Sequence, residues 1–248
     1  IISVMLEQVK ARDFTSLPTW IEFCYWLLNI ADKKQNDDGT GYQADNDWSD
    51  PRREVASFVA ECIKKEIEAP ISVRDGIAGL LRTLITQADS RLDEAQPVLL
   101  NRDDPITEAI NNVRSRALET LINFGLWVRR QIETDPVAEV TEIISERIKP
   151  KAKFPLTRPE YAILGMHFAN LWIINPDWSV EQKESLFPTS NLTIWRDAFG
   201  SYIRFNQPNK RMFEVLREQH LFAMENLTAF LTLPKEDKGF IDRLGQHI

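Results

Sequence analysis

Cysteine is nearly absent from this chain. Only Cys24 and Cys62 occur, each in an apolar helical context. Two isolated cysteines exclude a disulfide framework and a zinc site, and fit buried thiols in a reducing cytoplasm. Histidine is almost as scarce. His167, His220 and His247 are the three in the chain, and none has a cysteine or second histidine at ligand spacing. Nine glycines, and no run of alternating Val, Ile and Thr, argue for helices over strands. No apolar run reaches the ~18 residues of a membrane span, so no membrane partner is expected. The formal charge is −7 and no basic block is present, which disfavours a nucleic-acid partner. Neither a G-x-S-x-G elbow nor a G-x-x-x-x-G-K-[ST] loop occurs, so nothing points to a cofactor or to nucleophilic catalysis. No signal peptide is visible. The chain opens Ile1-Ile2 and closes within an amphipathic pattern, and we read it as a piece of a longer protein.

What is present is amphipathic helix. Leu17, Trp20, Ile21, Cys24, Leu27, Leu28 and Ala31 recur at steps of three and four and predict a helix over about 19–34. Asp50-Pro51 starts another, with Asp as N-cap and Pro in the first turn, and Val55, Phe58, Val59, Cys62, Ile63 and Ile67 as its buried stripe. Ser72 caps a third, which carries Val73, Ile77, Leu80, Leu81, Leu84 and Ile85. Asp104-Pro105 repeats the start signal. The pattern then runs unbroken to Gln131, a helix about 40 Å long at ~1.5 Å per residue. Ile106, Ile110, Val113, Ala117, Leu121 and Phe124 line one face, while Leu118, Ile122 and Leu126 widen it enough for a second neighbour. Two packing faces suit an interior helix of a stack. Asp135-Pro136 is a third start of the same kind. Further helices are predicted over 158–174, from Ser179, and near 191–205, 209–231 and 235–247.

The expected fold is all-α, an irregular HEAT/TPR-like α-solenoid of about ten to twelve helices, without the tetratricopeptide consensus. Residues 1–149 form an N-terminal helical-repeat segment, 150–159 a basic, proline-bearing linker, and 160–248 a C-terminal helical segment packed on the same array.

Three stretches carry candidate chemistry. In the acidic loop, Asn36, Asp38, Thr40, Gly41, Tyr42 and Asp47 fall at EF-hand positions, although calcium prefers a bidentate Glu where Asp47 stands. A solvated loop is the simpler reading, so no metal is expected. Asp177, Glu181 and Lys183 imitate the P-D…E-x-K signature of metal-dependent nucleases. Their spacing inside a helix start fits acidic side chains opposing the helix dipole better. Trp172, Trp178, Phe187, Trp195, Phe199, Tyr202 and Phe205 crowd together, mostly at helical spacing, which favours core packing. Trp178 and Phe187 flank loops. With Tyr42 and Trp48 they are the candidates for protein contact, since large aromatics anchor interfaces.

The segment DDPITEAINNVRSRALETLINFGLWVRR at 103–130, the turn NPDWSVEQKESLFP at 175–188 and LTIWRDAFGSYIRFNQPNKRMFEVLREQH at 192–220 together resemble the C-terminal helical region of bacterial antiphage STAND NTPases of the Avs type. Ala109, Ile110, Asn111, Val113, Arg114 and Ala117 match the first motif, whereas Asn112 and Ser115 stand where Ser and Gly are usual. The resemblance implies a cytoplasmic sensor array that is not itself an enzyme. It would bind a foreign, phage-derived protein and trigger an ATPase and effector elsewhere in the parent chain, with possible self-association of that parent. Asn111, Arg114 and Ala117 would be structural. Arg114 would bridge to a carboxylate of the next repeat, near the Asp135 start, and Ala117 would let helices approach. A helical scaffold or oligomerisation module, and a divergent metal-dependent nuclease, are the competing readings.

Overall fold

Apolar side chains at three- and four-residue steps make helices whose stripes must be buried against one another, and the described residues satisfy this with helices alone. The computed structural model describes residues 1–37, 49–86, 105–110, 112–149, 151–227 and 238–248. Among them are fourteen α-helices and a 3-10 turn at Ile71–Val73. The helices are α1 (Ile2–Lys10), α2 (Leu17–Asp37), α3 (Ser49–Cys62), α4 (Arg74–Thr86), α5 (Pro105–Ile110), α6 (Val113–Gln131) and α7 (Ala138–Ile148). The C-terminal part adds α8 (Arg158–Met166), α9 (Phe168–Ile174), α10 (Pro176–Leu186), α11 (Leu192–Phe205), α12 (Lys210–Val215), α13 (Arg217–Glu225) and α14 (Lys238–His247). No helix among the described residues is long and apolar enough to cross a membrane.

The helix expected over 105–131 is two helices. Asn112 adopts extended backbone (φ −108°, ψ 126°) and its side chain accepts a hydrogen bond from the Ser115 amide at 3.0 Å. Asparagine is among the best N-caps, so it ends α5 and starts α6 although the apolar period runs on across it. The break turns α5 away from α6 to pack on α8. The Asp-Pro starts also shift. Asp50 and Pro51 both lie inside α3. Asp135 sits ahead of α7 and accepts from the Val137 amide at 2.7 Å, while Val137 itself is the N-cap in left-handed backbone (φ 46°). Ser72 lies in the 3-10 turn that precedes α4 and caps nothing. The helix predicted over 158–174 is interrupted at His167, and that predicted over 209–231 at Leu216 and again, within its described residues, at Asn226.

Helix α6 is the centre of the molecule. Val113, Ala117, Leu118, Leu121, Ile122, Phe124, Trp127 and Val128 are all buried, on more than one face. It packs on α3 and α4 from the earlier half of the chain, and on α8 and α9 from the later half. Its C-terminal end is tied to the turn after α3: the Trp127 indole and the Gln131 amide both donate to the Ala69 carbonyl, at 3.2 and 3.0 Å. Arg130 pairs with Glu68 there at 2.8 Å. Two close helix approaches pack the C-terminal half, one against α6 and one within that half. At Gly125 an added Cβ would stand 2.6 Å from Ile174 Cδ1. At Gly165, on α8, it would overlap the Ala198 carbonyl and lie 2.9 Å from Ala198 Cα, so α11 crosses α8 with backbone against backbone.

Candidate functional site

One residue of the quoted motif, Arg114, belongs to a buried ionic junction. Arg114, in the first turn of α6, is 1 % exposed and its Nε lies 3.3 Å from Glu160 Oε1. Glu160, in the first turn of α8, is fully buried and also takes both Nη atoms of Arg147 from the last turn of α7, Nη2 at 2.9 Å. The same carboxylate closes a capping box, accepting from the Thr157 amide at 2.9 Å and the Thr157 hydroxyl at 2.8 Å. Arg147 spends its remaining donors on the carbonyls of Phe154 and Pro155, at 2.9 and 3.0 Å. Three helices and the segment before α8 therefore meet on one carboxylate. The stretch expected to be a linker is stapled into the fold along Phe154–Glu160.

The expected bridge from Arg114 to a carboxylate of a neighbouring helix is to Glu160 rather than near the Asp135 start, since Arg114 stands in the first turn of a helix about 28 Å long at ~1.5 Å per residue and Asp135 follows its last turn. Asp135 belongs to Arg74, which also takes Glu139 through Nε at 2.6 Å and Nη2 at 2.8 Å. The hydrogen bond from Arg74 holds the Asp135 carboxyl below its ordinary range. About two turns further along α4, at ~3.6 residues per turn, Arg82 meets Glu146 of α7 at 2.8 Å and Glu142 at 3.4 Å. The α4–α7 seam is thus a ladder of partly exposed pairs. Ala117 is buried in the core of α6, and Asn111 lies outside the described residues.

The protein-contact candidates separate sharply. Phe187 is fully buried. Its ring stands edge-on to Phe168 (5.1 Å between centroids), Phe199 (6.0 Å) and Tyr202 (6.4 Å). This corrects the expectation of a surface anchor: Phe187 directly follows α10, and its side chain folds inward between α9 and α11. Trp178 is half-buried. Asn175 caps its helix by accepting from the Trp178 amide at 3.1 Å, and the indole donates to Ser145 Oγ at 2.9 Å. Ile173 and Val180, on either side of that cap, are 48 % and 45 % exposed. Tyr42 and Trp48, with residues 38–48 of the calcium-like loop, lie outside the described residues; Asn36 is part of α2.

The nuclease-like residues do not converge. Asp177 and Glu181 face solvent along α10, and Lys183 pairs across to Glu218 of α13 at 3.5 Å. Among the described residues no three His, Cys, Asp or Glu side chains come together as metal ligands. Burial drives the Cys24 and Cys62 thiols up to about 12, so both stay protonated and unreactive at neutral pH.

The histidines divide into two environments. His167, between α8 and α9, links α6 and α9: Nε2 lies 3.5 Å from Glu119 Oε1, and Nδ1 is 3.0 Å from the Asn170 amide nitrogen. That contact lowers the Glu119 carboxyl below its ordinary range. His220 and His247 are buried beside Tyr202, with no carboxylate pairing to either ring among the described residues. Glu160, Arg147 and this histidine pair were not singled out as a site from the sequence. The Thr157–Glu160 spacing of a capping box was the one available signal for Glu160.

Comparison of the chain with family models, with curated proteins and with solved structures gives no match.

Proposed function

We propose that this chain is a protein-recognition module, an irregular HEAT-like α-solenoid from a bacterial antiviral defence protein, and that it binds a phage protein to trigger an effector carried elsewhere in the parent. The reading rests on the resemblance of 103–130, 175–188 and 192–220 to the sensor region of Avs-type STAND NTPases. The observation that supports it best is the place of the motif. Val113, Arg114 and Ala117 lie in the central helix, and Arg114 meets the carboxylate on which α7 and α8 also converge. A motif that holds successive helices of an array together has this kind of placement. The turn between α9 and α10 supports a contact surface. Ile173 and Val180 are exposed there, and the half-buried Trp178 is fixed by Ser145 and Asn175. A rigid aromatic flanked by accessible apolar side chains is the pattern of an interface anchor.

The test is binding to purified phage proteins, first identified by capture from phage lysates and then titrated calorimetrically against the folded chain. Saturable binding that weakens at least tenfold in Val180→Glu supports the reading. Failure across a panel of unrelated phages, with the chain folded, would overturn it. Sedimentation of the chain alone separates this function from a scaffold that assembles with itself.

A further inference from the structure

We propose that α14 is docked by a neutral histidine pair, His220 and His247, and that acidification releases this helix from the rest of the fold. His220, on α13, is 1 % exposed. Its Nδ1 lies 2.9 Å from the Leu216 carbonyl, which accepts only a proton-bearing nitrogen, so Nδ1 carries the hydrogen. Its Nε2 is buried with no hydrogen-bond partner. The ring is enclosed by Phe199 and Phe213, at 5.2 and 4.9 Å between centroids, and by Tyr202 at 6.2 Å. His247, on α14, completes the enclosure. Its ring lies 6.2 Å from that of His220 at 28°, and 5.6 Å from Tyr202. Its Nε2 lies 3.1 Å from the Asn206 carbonyl, so this nitrogen is the protonated one.

Among the described residues, the charged and titratable groups around the pair offer no counter-ion. From α11 the pair faces Tyr202, whose phenol is raised to about 12 by burial and stays neutral. From α14 it faces Arg243, which donates to the Arg204 carbonyl and opposes a further positive charge on His247. From α12 it faces Phe213, while Lys210, Arg211 and Glu214 of that helix are not buried against it. On α13 itself Arg217 and Glu218 point to solvent. A proton on His220 Nε2 would be a buried donor without an acceptor, beside a second imidazole. A proton on both rings would set like charges together.

Burial, more than any neighbour, lowers both imidazoles from their ordinary range when α14 is docked. An undocked histidine binds its proton near ~6.5. The undocked state therefore holds more protons once pH falls through that value, and docking weakens until the docked rings also titrate. Each histidine contributes up to about a tenfold change per pH unit over that window. Helix α14 is where this matters, because it packs on α11 and, among its described side chains, Leu244 and His247 are the buried ones.

The experiment is hydrogen–deuterium exchange of 238–247 at pH 7.5 and 5.0, corrected for the intrinsic rate, on the wild-type chain and on His220→Phe/His247→Gln. We expect protection of this helix to fall at least tenfold at pH 5.0 in the wild type, with α6 unaffected, and to be independent of pH in the double variant. Equal protection at both pH values, or the same loss in the double variant, overturns the proposal. Should the double variant not fold, imidazole NMR titration of the wild type decides. Both rings titrating well below the exposed range supports it, and either titrating at or above that range overturns it.

Discussion

The junction at Glu160 and the pair at His220 and His247 are both buried and polar, and they solve the cost of burial in opposite ways. At the junction every charged group has a partner: one carboxylate serves two guanidiniums, a threonine and its amide, and the spare donors of Arg147 go to carbonyls. At the histidine pair no charge is present at neutral pH, and each ring spends one N–H on a carbonyl. A buried charge is tolerated when it is fully paired, and a buried titratable group without a partner stays neutral. The first arrangement fixes helices relative to one another through paired charges. The second holds its helix only while the rings keep their neutrality.

The sharpest way to break this comparison is to remove the shared carboxylate. Glu160→Gln leaves Arg114 and Arg147 as uncompensated buried cations and is expected to cost ~3–5 kcal/mol in denaturant unfolding. Replacing all three with methionine should recover most of that loss, since apolar side chains of similar volume need no partners. If Glu160→Gln is neutral, the junction is wetter than its burial indicates. Next in size is Phe187→Ala, expected to cost ~3–5 kcal/mol because it empties the centre of four packed rings. A loss below ~1 kcal/mol, the figure for an exposed aromatic, would restore Phe187 to the surface. Gly165→Ala tests the backbone contact between α8, which carries Glu160, and α11, which carries Tyr202. Overlap with the Ala198 carbonyl is expected to cost about 3 kcal/mol, read as a lowered melting temperature. Smallest is Trp178→Phe, which removes the indole donor to Ser145 while keeping most of the ring. About 1 kcal/mol is expected, measured by the same unfolding curve.

The stripes of α2, α3, α4 and α6 were legible because burial repeats with the helical period. Leu17, Ile21, Cys24 and Leu28 are buried, as are Val55, Phe58, Val59 and Cys62, and Ile77, Leu80, Leu81 and Leu84. The break at Asn112 was written in the residue type but hidden by the apolar period that continues through it. Phe187 was ambiguous for a different reason. An aromatic at a helix end has no period to assign it, and only the approach of α9 and α11 makes its position interior. Glu160, Arg147 and Arg114 were harder still. A charged residue is ordinarily exposed, and their burial depends on three helix ends meeting.

The sequence by itself determined that this chain is helical, where most helices lie, and which faces of them are apolar. Those properties are local: they follow from side-chain spacing, capping residues and the scarcity of glycine. The tertiary structure decided which helices share a face, that two guanidiniums from different helices meet on one carboxylate of a third, and that two distant histidines stack in an aromatic enclosure. Such pairings join residues far apart along the chain, and only the geometry of the packed helices brings them within reach of one another.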